Sequence, residues 1–397
     1  MTDKMERKPF HIVLLSPYCL LRPTTNRIYD MRLCDAFAGH GRPVKVIYPY
    51  TYMRDNIHRS SIPHAYGMRN TVKRRMLLTP LTENSPKLWR FLILLLEFTW
   101  AVISVALTGI LTRRRTLIVS RDAKALLPAI IVRKSLAWIF SAKVIYIASE
   151  VKDAPIFKWV VKNSDGVMAG VTTTRKRIQE LVKLPDSRFM LSLAPVPEPV
   201  VQCSKEEARK TIGYSEKQPL VVYTGKLGMD VHELMYIFEA AALLPDYKFL
   251  FTGGRASAVA AVRKHCADAG IENVMFTGFM NDSTQVRYYQ LAADVLVSYY
   301  TAKDHLVEFN YPQKVNEYLT TGNPVVTPDF PATRDVLNDT NVIFVRPDDP
   351  MDLARGIRLA VVDDRLAANI TRQAKEDMKE LTFEKRTAEF LRFAETC

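Results

Sequence analysis

Residues 309–329, FNYPQKVNEYLTTGNPVVTPD, gather the residue types that anion chemistry requires. Pro312 suits the first turn of a helix, where its missing N–H costs nothing. Lys314 follows at once, so a cation and unpaired backbone N–H groups converge on one helix end, an arrangement suited to a diphosphate. Glu317 stands three residues further on along a similar face, where a carboxylate can accept both hydroxyls of a ribose. Gly322 ends the helix expected over 311–321, and Asn323 and Pro324 lead into a buried strand. An amphipathic helix with an incidental Lys and Glu is the plainer alternative, and it leaves the rest of the constellation unexplained.

Such a segment needs a scaffold, and the chain around it supplies one. Short apolar runs at 10–15, 44–49, 116–120, 143–148 and 166–170 read as strands buried on both faces. A helix is expected over 26–38, and helical stretches lie between and after the later runs. The same rhythm resumes at 219–225, 248–254, 273–279, 294–300, 324–328 and 342–345, with helices expected over 231–244, 256–269 and 284–292. Between the two series lies APVPEPVVQC, whose three closely spaced prolines forbid a helix and favour an extended linker. The fold class is therefore α/β, with two Rossmann-like domains facing a cleft. The expected domains are 1–198 and 199–380, with a C-terminal helix at 381–397 packing back on the first.

One stretch fits neither rhythm. Residues 91–111, FLILLLEFTWAVISVALTGIL, carry one charge, Glu97, and are flanked by Lys87, Arg90 and Arg113 to Arg115. Length and polarity make it a candidate membrane span, but a span here would separate strands of one α/β domain. Arg90, Glu97, Ser104 and Thr108 share one helical face with Ala101, while Leu, Ile, Phe, Val and Trp fill the rest. A helix over about 89–111 that docks on its own domain and lies in a membrane interface fits this pattern best. A core helix and a true span are the alternatives.

The net charge of +13 separates along the chain: residues 1–200 carry +18 and residues 201–397 carry −5. That asymmetry points to one face meeting a polyanion. Five scattered cysteines without Cys or His ligand spacing disfavour a zinc site or disulfide framework and fit a reducing compartment. The N-terminus has no convincing signal-peptide pattern. Glycine is scarce, 15 in 397 residues, which excludes collagen-like and blade-repeat architectures. No G-x-G-x-x-G follows a strand, and no P-loop, H-E-x-x-H, G-x-S-x-G or D-x-D is present. Dehydrogenase, P-loop ATPase, metalloprotease, α/β-hydrolase and metal-dependent sugar-transferase readings all weaken. So does nucleic-acid binding, for want of any recognition motif.

Through P-x-K-x-x-E-Y-x-x-x-G-x-P-V-V, the chain resembles the GT-B glycosyltransferases, in particular the retaining family 4 type. The resemblance covers about 219–393 well and 10–193 loosely. It implies a nucleotide-sugar donor on the C-terminal domain, an acceptor on the N-terminal one, retention of configuration, and no cofactor or metal. By it, Glu317 binds ribose and Lys314 the diphosphate, with Pro312 and Val315 in the same donor segment. Gly225 and Lys226 match a strand-end Gly-basic pair that meets the phosphates. Gly253 and Gly254, then Gly278 and Phe279, match two further strand ends, the last near the base.

Several positions depart from the family pattern. Met229 to His232 stand where a second Lys is common, and Glu308 precedes Glu317 by eight intervening residues rather than seven. Thr24, Thr25, Asn26 and Arg27 replace a Gly-Gly loop on the acceptor side. Glu150-Val151-Lys152-Asp153 answers a recurring Glu-x-His-Asp, and Lys152 can donate where imidazole would also accept. Glu150, Lys152 and Glu308 are the catalytic candidates.

The basic half and the apolar helix together suggest a lipid-linked acceptor, or another glycan, met at an anionic membrane surface. The expected place is the cytoplasmic face of a membrane, bound peripherally. The competing readings are a nucleotide-sugar epimerase of GT-B shape and a non-catalytic binding or scaffold protein.

Overall fold

In the computed structural model, which describes residues 8–22, 24–52, 56–82, 85–148, 151–196, 201–280, 282–309 and 311–397, the short apolar runs form parallel strands. The chain divides into two compact units, Met1–Ser192 with Phe383–Cys397, and Leu193–Thr382.

The first unit holds β1 (His11–Leu15), β2 (Val44–Tyr52), β3 (Lys73–Thr82), β4 (Thr116–Ser120), β5 (Ala142–Ala148), β6 (Gly166–Ala169) and β7 (Phe189–Leu191). They form one parallel sheet in the order β3-β2-β1-β4-β5-β6-β7. Side chains alternate across a strand, so Ile12 and Leu14 enter one core while Val13 and Leu15 enter the other. With both faces covered, β1 has to read as an unbroken apolar run, and it does. The strand order reverses between β1 and β4, which opens the crevice where such sheets bind ligands.

Two strands of this sheet, β3 and β7, lie outside the five apolar runs of the sequence. Each is an edge strand. β3 begins Lys73-Arg74-Arg75 and contains Pro80, the residues that blunt an edge against further pairing. β7 has only three residues.

The final helix, Phe383–Thr396, packs in the first unit's core: Phe390 lies edge-on to Phe37 with ring centres 5.4 Å apart. Glu395 accepts a bidentate pair of hydrogen bonds from Arg115, at 3.1 and 2.6 Å.

The apolar helix runs Lys87–Leu111. It docks through Phe98, Ala101, Val102, Val105, Ala106 and Gly109, a stripe of small and apolar residues. The polar positions sit beside that stripe: Ser104 Oγ accepts from Arg75 at 3.1 Å, and Thr108 is exposed. The opposite face stays uncovered, with Leu96 70% and Trp100 68% exposed.

The second unit holds β8 (Leu220–Thr224), β9 (Lys248–Thr252), β10 (Val274–Gly278), β11 (Val295–Val297), β12 (Val325–Pro328) and β13 (Ile343–Val345). Their parallel order is β10-β9-β8-β11-β12-β13, reversing between β8 and β11. Here too alternate residues part: Val221 and Tyr223 face one core, Leu220 and Val222 the other. A capping box formed by Ser204 and Glu207 starts the unit's first helix, Lys205–Ile212.

Candidate functional site

In the second unit the carboxyl ends of three adjacent strands are laced together by backbone. Gly225 N–H, after β8, donates to Thr252 O at 2.9 Å, and Gly253 N–H, after β9, donates to Gly278 O at 3.0 Å. Gly253 has φ +127°, and a Cβ there would lie 1.9 Å from Gly225 O. No residue but glycine fits that approach. A Cβ on Gly254 would lie 2.6 Å from Leu227 Cβ. The glycine positions at 225, 253, 254 and 278 thus form one continuous rim. Lys226 and Phe279 project from it, both exposed.

The motif helix spans Gln313–Leu319, and Pro312 is its N-cap, one residue outside the first turn. Val315, Asn316, Tyr318 and Leu319 are buried, which fixes the side of the helix that holds Lys314 and Glu317. Lys314 Nζ lies 4.1 Å from the ring centre of Tyr223, near the end of β8, and 5.1 Å from that of Tyr300, beyond β11. The ammonium therefore sits at the switch point between β8 and β11. It makes no ion pair among the described residues. Burial pulls its pKa down to about 8, against an opposing pull from the Glu233 carboxylate. An unpaired, partly desolvated cation between two aromatic faces is primed to gain from an incoming anion.

Glu317 is held from a different helix, Ser283–Ala292. Gln290 Nε2 reaches Glu317 Oε2 at 3.5 Å and Thr224 Oγ1 at 3.4 Å, joining the carboxylate to the end of β8. Arg287, three residues earlier on that helix, is buried and donates to Glu317 O at 2.7 Å and Thr320 O at 3.1 Å. Burial lowers its pKa, and the Glu317 carboxylate opposes that shift. Tyr318 completes the lacing: its hydroxyl accepts from Thr224 N–H at 2.8 Å.

Among the other sequence candidates, Glu308 is exposed on a single 3-10 turn, His305–Glu308. In the first unit Thr24 stands at the N-cap of the helix Thr25–Gly39 without a side-chain capping bond, and Asn26 is exposed. Arg27 turns back, its guanidinium donating to Arg22 O at 2.6 Å, 5.7 Å from the ring centre of Tyr18. Lys152 is exposed, and its carbonyl accepts from Ala154 N–H at 3.0 Å. Glu150 lies outside the described residues.

Sequence reading missed Tyr223, Tyr300, Gln290 and Arg287. Only the last two left a signal, a three-residue spacing that puts both on one helical face. It also missed Asp30 and Arg121, 3.7 Å apart beside the first unit's switch point. Burial pushes Asp30 up to about 6, and Arg121 opposes it.

Two doubly wound parallel sheets in one chain are the arrangement of the GT-B fold. Residues 218–363 match the family described as glycosyl transferases group 1. The match lies within the second unit, and the two sheets take the GT-B fold of solved glycosyltransferases. No curated protein sequence matches it. Solved structures do: sucrose-phosphate synthase from Thermosynechococcus elongatus has a TM-score of 0.72 at 17% identity, over 98% of both chains. HepE from Anabaena, in complex with UDP, gives 0.72 at 14% identity, over 98% of this chain and 100% of that one. A TarM variant from S. aureus, in complex with Fondaparinux, alpha-GlcNAc-glycerol and UDP, gives 0.68 at 11% identity, over 97% and 100%. At these identities the likeness is one of fold.

Proposed function

We propose that the protein transfers a sugar from a nucleotide-diphosphate donor to a hydroxyl of a lipid-linked acceptor at a membrane surface, with retention and without a metal. The observation that carries the donor side is Lys314 at the switch point, without an ion pair among the described residues, with Glu317 one turn further along the same helix. The bond from the anomeric carbon to the diphosphate oxygen breaks, the acceptor oxygen bonds to that carbon on the same face, and the acceptor's proton passes to the departing diphosphate oxygen. Lys226 and Lys314 offset the charge that collects on the leaving diphosphate, the task a metal performs elsewhere. Glu317, oriented by Gln290, accepts the ribose hydroxyls. Glu150, Lys152 and Glu308 are the catalytic candidates, with Glu308 toward the sugar, and Thr24, Thr25, Asn26 and Arg27 form the acceptor-side loop. UDP in the HepE and TarM structures supports a nucleoside diphosphate here.

The lipid side rests on the helix Lys87–Leu111, whose outer face offers Leu88, Trp89, Leu92, Leu96 and Trp100 to solvent. Ile131 and Trp159, on the next two packed helices, and Trp138, in the turn after the first of them, are exposed as well. An apolar surface of this breadth edged by Arg113, Arg114 and Lys134 suits an anionic leaflet, each cation contributing about 1 kcal/mol near it. The reading places the enzyme in family 4, in glycan biosynthesis, peripheral on the cytoplasmic face.

Two measurements test it. A melting-temperature panel of UDP-, GDP- and ADP-sugars should raise the transition for one nucleotide, an effect lost in Lys314→Ala and Glu317→Ala. Co-sedimentation should capture the protein with anionic vesicles and leave it behind with neutral ones. A flat panel would sink the donor assignment, and a protein indifferent to both vesicles the membrane assignment.

A further inference from the structure

At the switch point of the first unit, between the loops that leave β1 and β4, lies a half-open cavity of about 240 Å3. Its floor is Phe91, Leu95 and Phe98, from the first three turns of the apolar helix. Its cations are Lys87 and Arg90 from that helix and Lys124 from the start of the helix Ala123–Ser135. The carboxylate in the lining, Asp122, is spent as that helix's N-cap, accepting from Ala125 N–H at 3.0 Å. Lys87 and Lys124 form no ion pair among the described residues, and the Lys124 ammonium lies 5.2 Å from the Phe91 ring centre. Two lysines without an ion pair among the described residues, with Arg90 beside them, therefore line an aromatic and aliphatic floor whose one carboxylate is committed.

We infer that this cavity seats the phosphate head of an amphiphile, with Lys87, Arg90 and Lys124 on the phosphate and Phe91, Leu95 and Phe98 on the adjoining methylenes. The inference rests on the lipid-acceptor reading above and gives that acceptor a place. Size supports it: the volume is below the roughly 300 Å3 at which drug-sized ligand sites begin. A phosphate with a short run of chain is of that scale. Position supports it as well. Leu88, Trp89 and Leu92, on the outer face of the same turns, are exposed, so a lipid drawn from a bilayer against that face meets the cavity without leaving the helix. Charge complementarity selects the ligand: a neutral alkyl glycoside gains only the floor, and free phosphate only the cations.

The test titrates the full chain with dodecyl phosphate below its micelle concentration, by calorimetry, beside inorganic phosphate and dodecyl maltoside. The expected result is saturable binding of dodecyl phosphate, weakened at least about tenfold in the K87Q/K124Q double variant and in L95W, which fills the floor. The melting temperature of K87Q/K124Q should match the parent within a few degrees, because Lys87 and Lys124 are exposed, and a cooperative melt of L95W confirms that it folds. Equal binding by parent and variants, or inorganic phosphate binding as tightly as the ester, overturns the inference. Failure of the underlying reading looks different. The protein would then hold dodecyl phosphate in this cavity yet transfer no sugar to lipid and ignore vesicles. Transfer to a lipid acceptor that is unchanged in both variants would remove the cavity's role and leave the reading standing.

Discussion

The Lys314 ammonium rests 4.1 Å from the centre of the Tyr223 ring, so the motif helix is tied to the end of β8 through a cation and an aromatic face. That contact holds the lysine where the strand order reverses, but does not neutralise it. The site consequently pays a desolvation cost when empty, which a bound diphosphate offsets.

A pH signature follows from that cost. Below about pH 8 the amine is charged in the folded and the unfolded chain alike. Between about 8 and its ordinary 10.5, the unfolded chain keeps a proton that the folded one has released, so stability rises with pH across that window. A diphosphate favours the charged form, so donor affinity runs the other way: level below about pH 8 and falling above it. Titrating the nucleoside diphosphate by calorimetry from pH 6.5 to 9.5 (~3 units) checks the break. Lys314→Arg should abolish the break with binding retained, and Lys314→Met should weaken binding about 10- to 100-fold throughout.

Gln290 is expected to act through Glu317. Gln290→Leu removes the only side-chain hydrogen bond seen to the Glu317 carboxylate among the described residues, and with it a contact to Thr224. The donor KM should rise about 3- to 10-fold with kcat little changed, because ribose is held equally in the ground and transition states. Steady-state kinetics at saturating acceptor separate the two constants. A fall in kcat with KM unmoved would assign Gln290 elsewhere.

Lys314 and Glu317 were legible because they share one short helix, and local spacing is what a single sequence records. Tyr223 and Tyr300 were not. They lie 77 positions apart, and only the pairing of β8 with β11, Val221 opposite Val295, brings their rings to one ammonium. The buried strands announced themselves as apolar runs, whereas β3 hid behind Lys73, Arg74 and Arg75, because an edge strand is selected for charge. The apolar helix was visible in its length and hydrophobicity. Its docking stripe was not: Phe98, Val102 and Val105 look no different in sequence from the Leu and Trp residues that face out.

Gly253 tests the backbone lacing. Gly253→Ala drives a Cβ into Gly225 O, 1.9 Å away, at a φ of +127° that a side chain disfavours. The strand-end loops must part, and the hydrogen bond from Gly253 N–H to Gly278 O goes with them. A loss of at least about 2 kcal/mol is expected in the urea transition of the second unit. The melting shift given by the donor nucleotide should vanish as well. Gly270→Ala, also at positive φ but with nothing within 4 Å of its Cβ, should cost less and keep the shift.

The apolar helix offers the sharpest division between packing and surface. Leu96 and Trp100 lie one turn apart on its outer face and are mostly exposed, while Phe98 and Val102, two residues on from each, are buried. Leu96→Glu with Trp100→Glu removes apolar area that only a bilayer can cover and adds two charges facing the leaflet. At about 25 cal/mol per Å2, the two side chains together account for several kcal/mol of partitioning. Vesicle affinity should therefore fall by about 100-fold or more, with the melting temperature nearly unchanged. Phe98→Ala should do the reverse, lowering stability by about 3 kcal/mol or more while the folded protein keeps its vesicle affinity. Vesicle sedimentation and thermal unfolding of the same two proteins read both effects. A double variant that still sediments fully would mean that the uncovered face is not what meets the membrane.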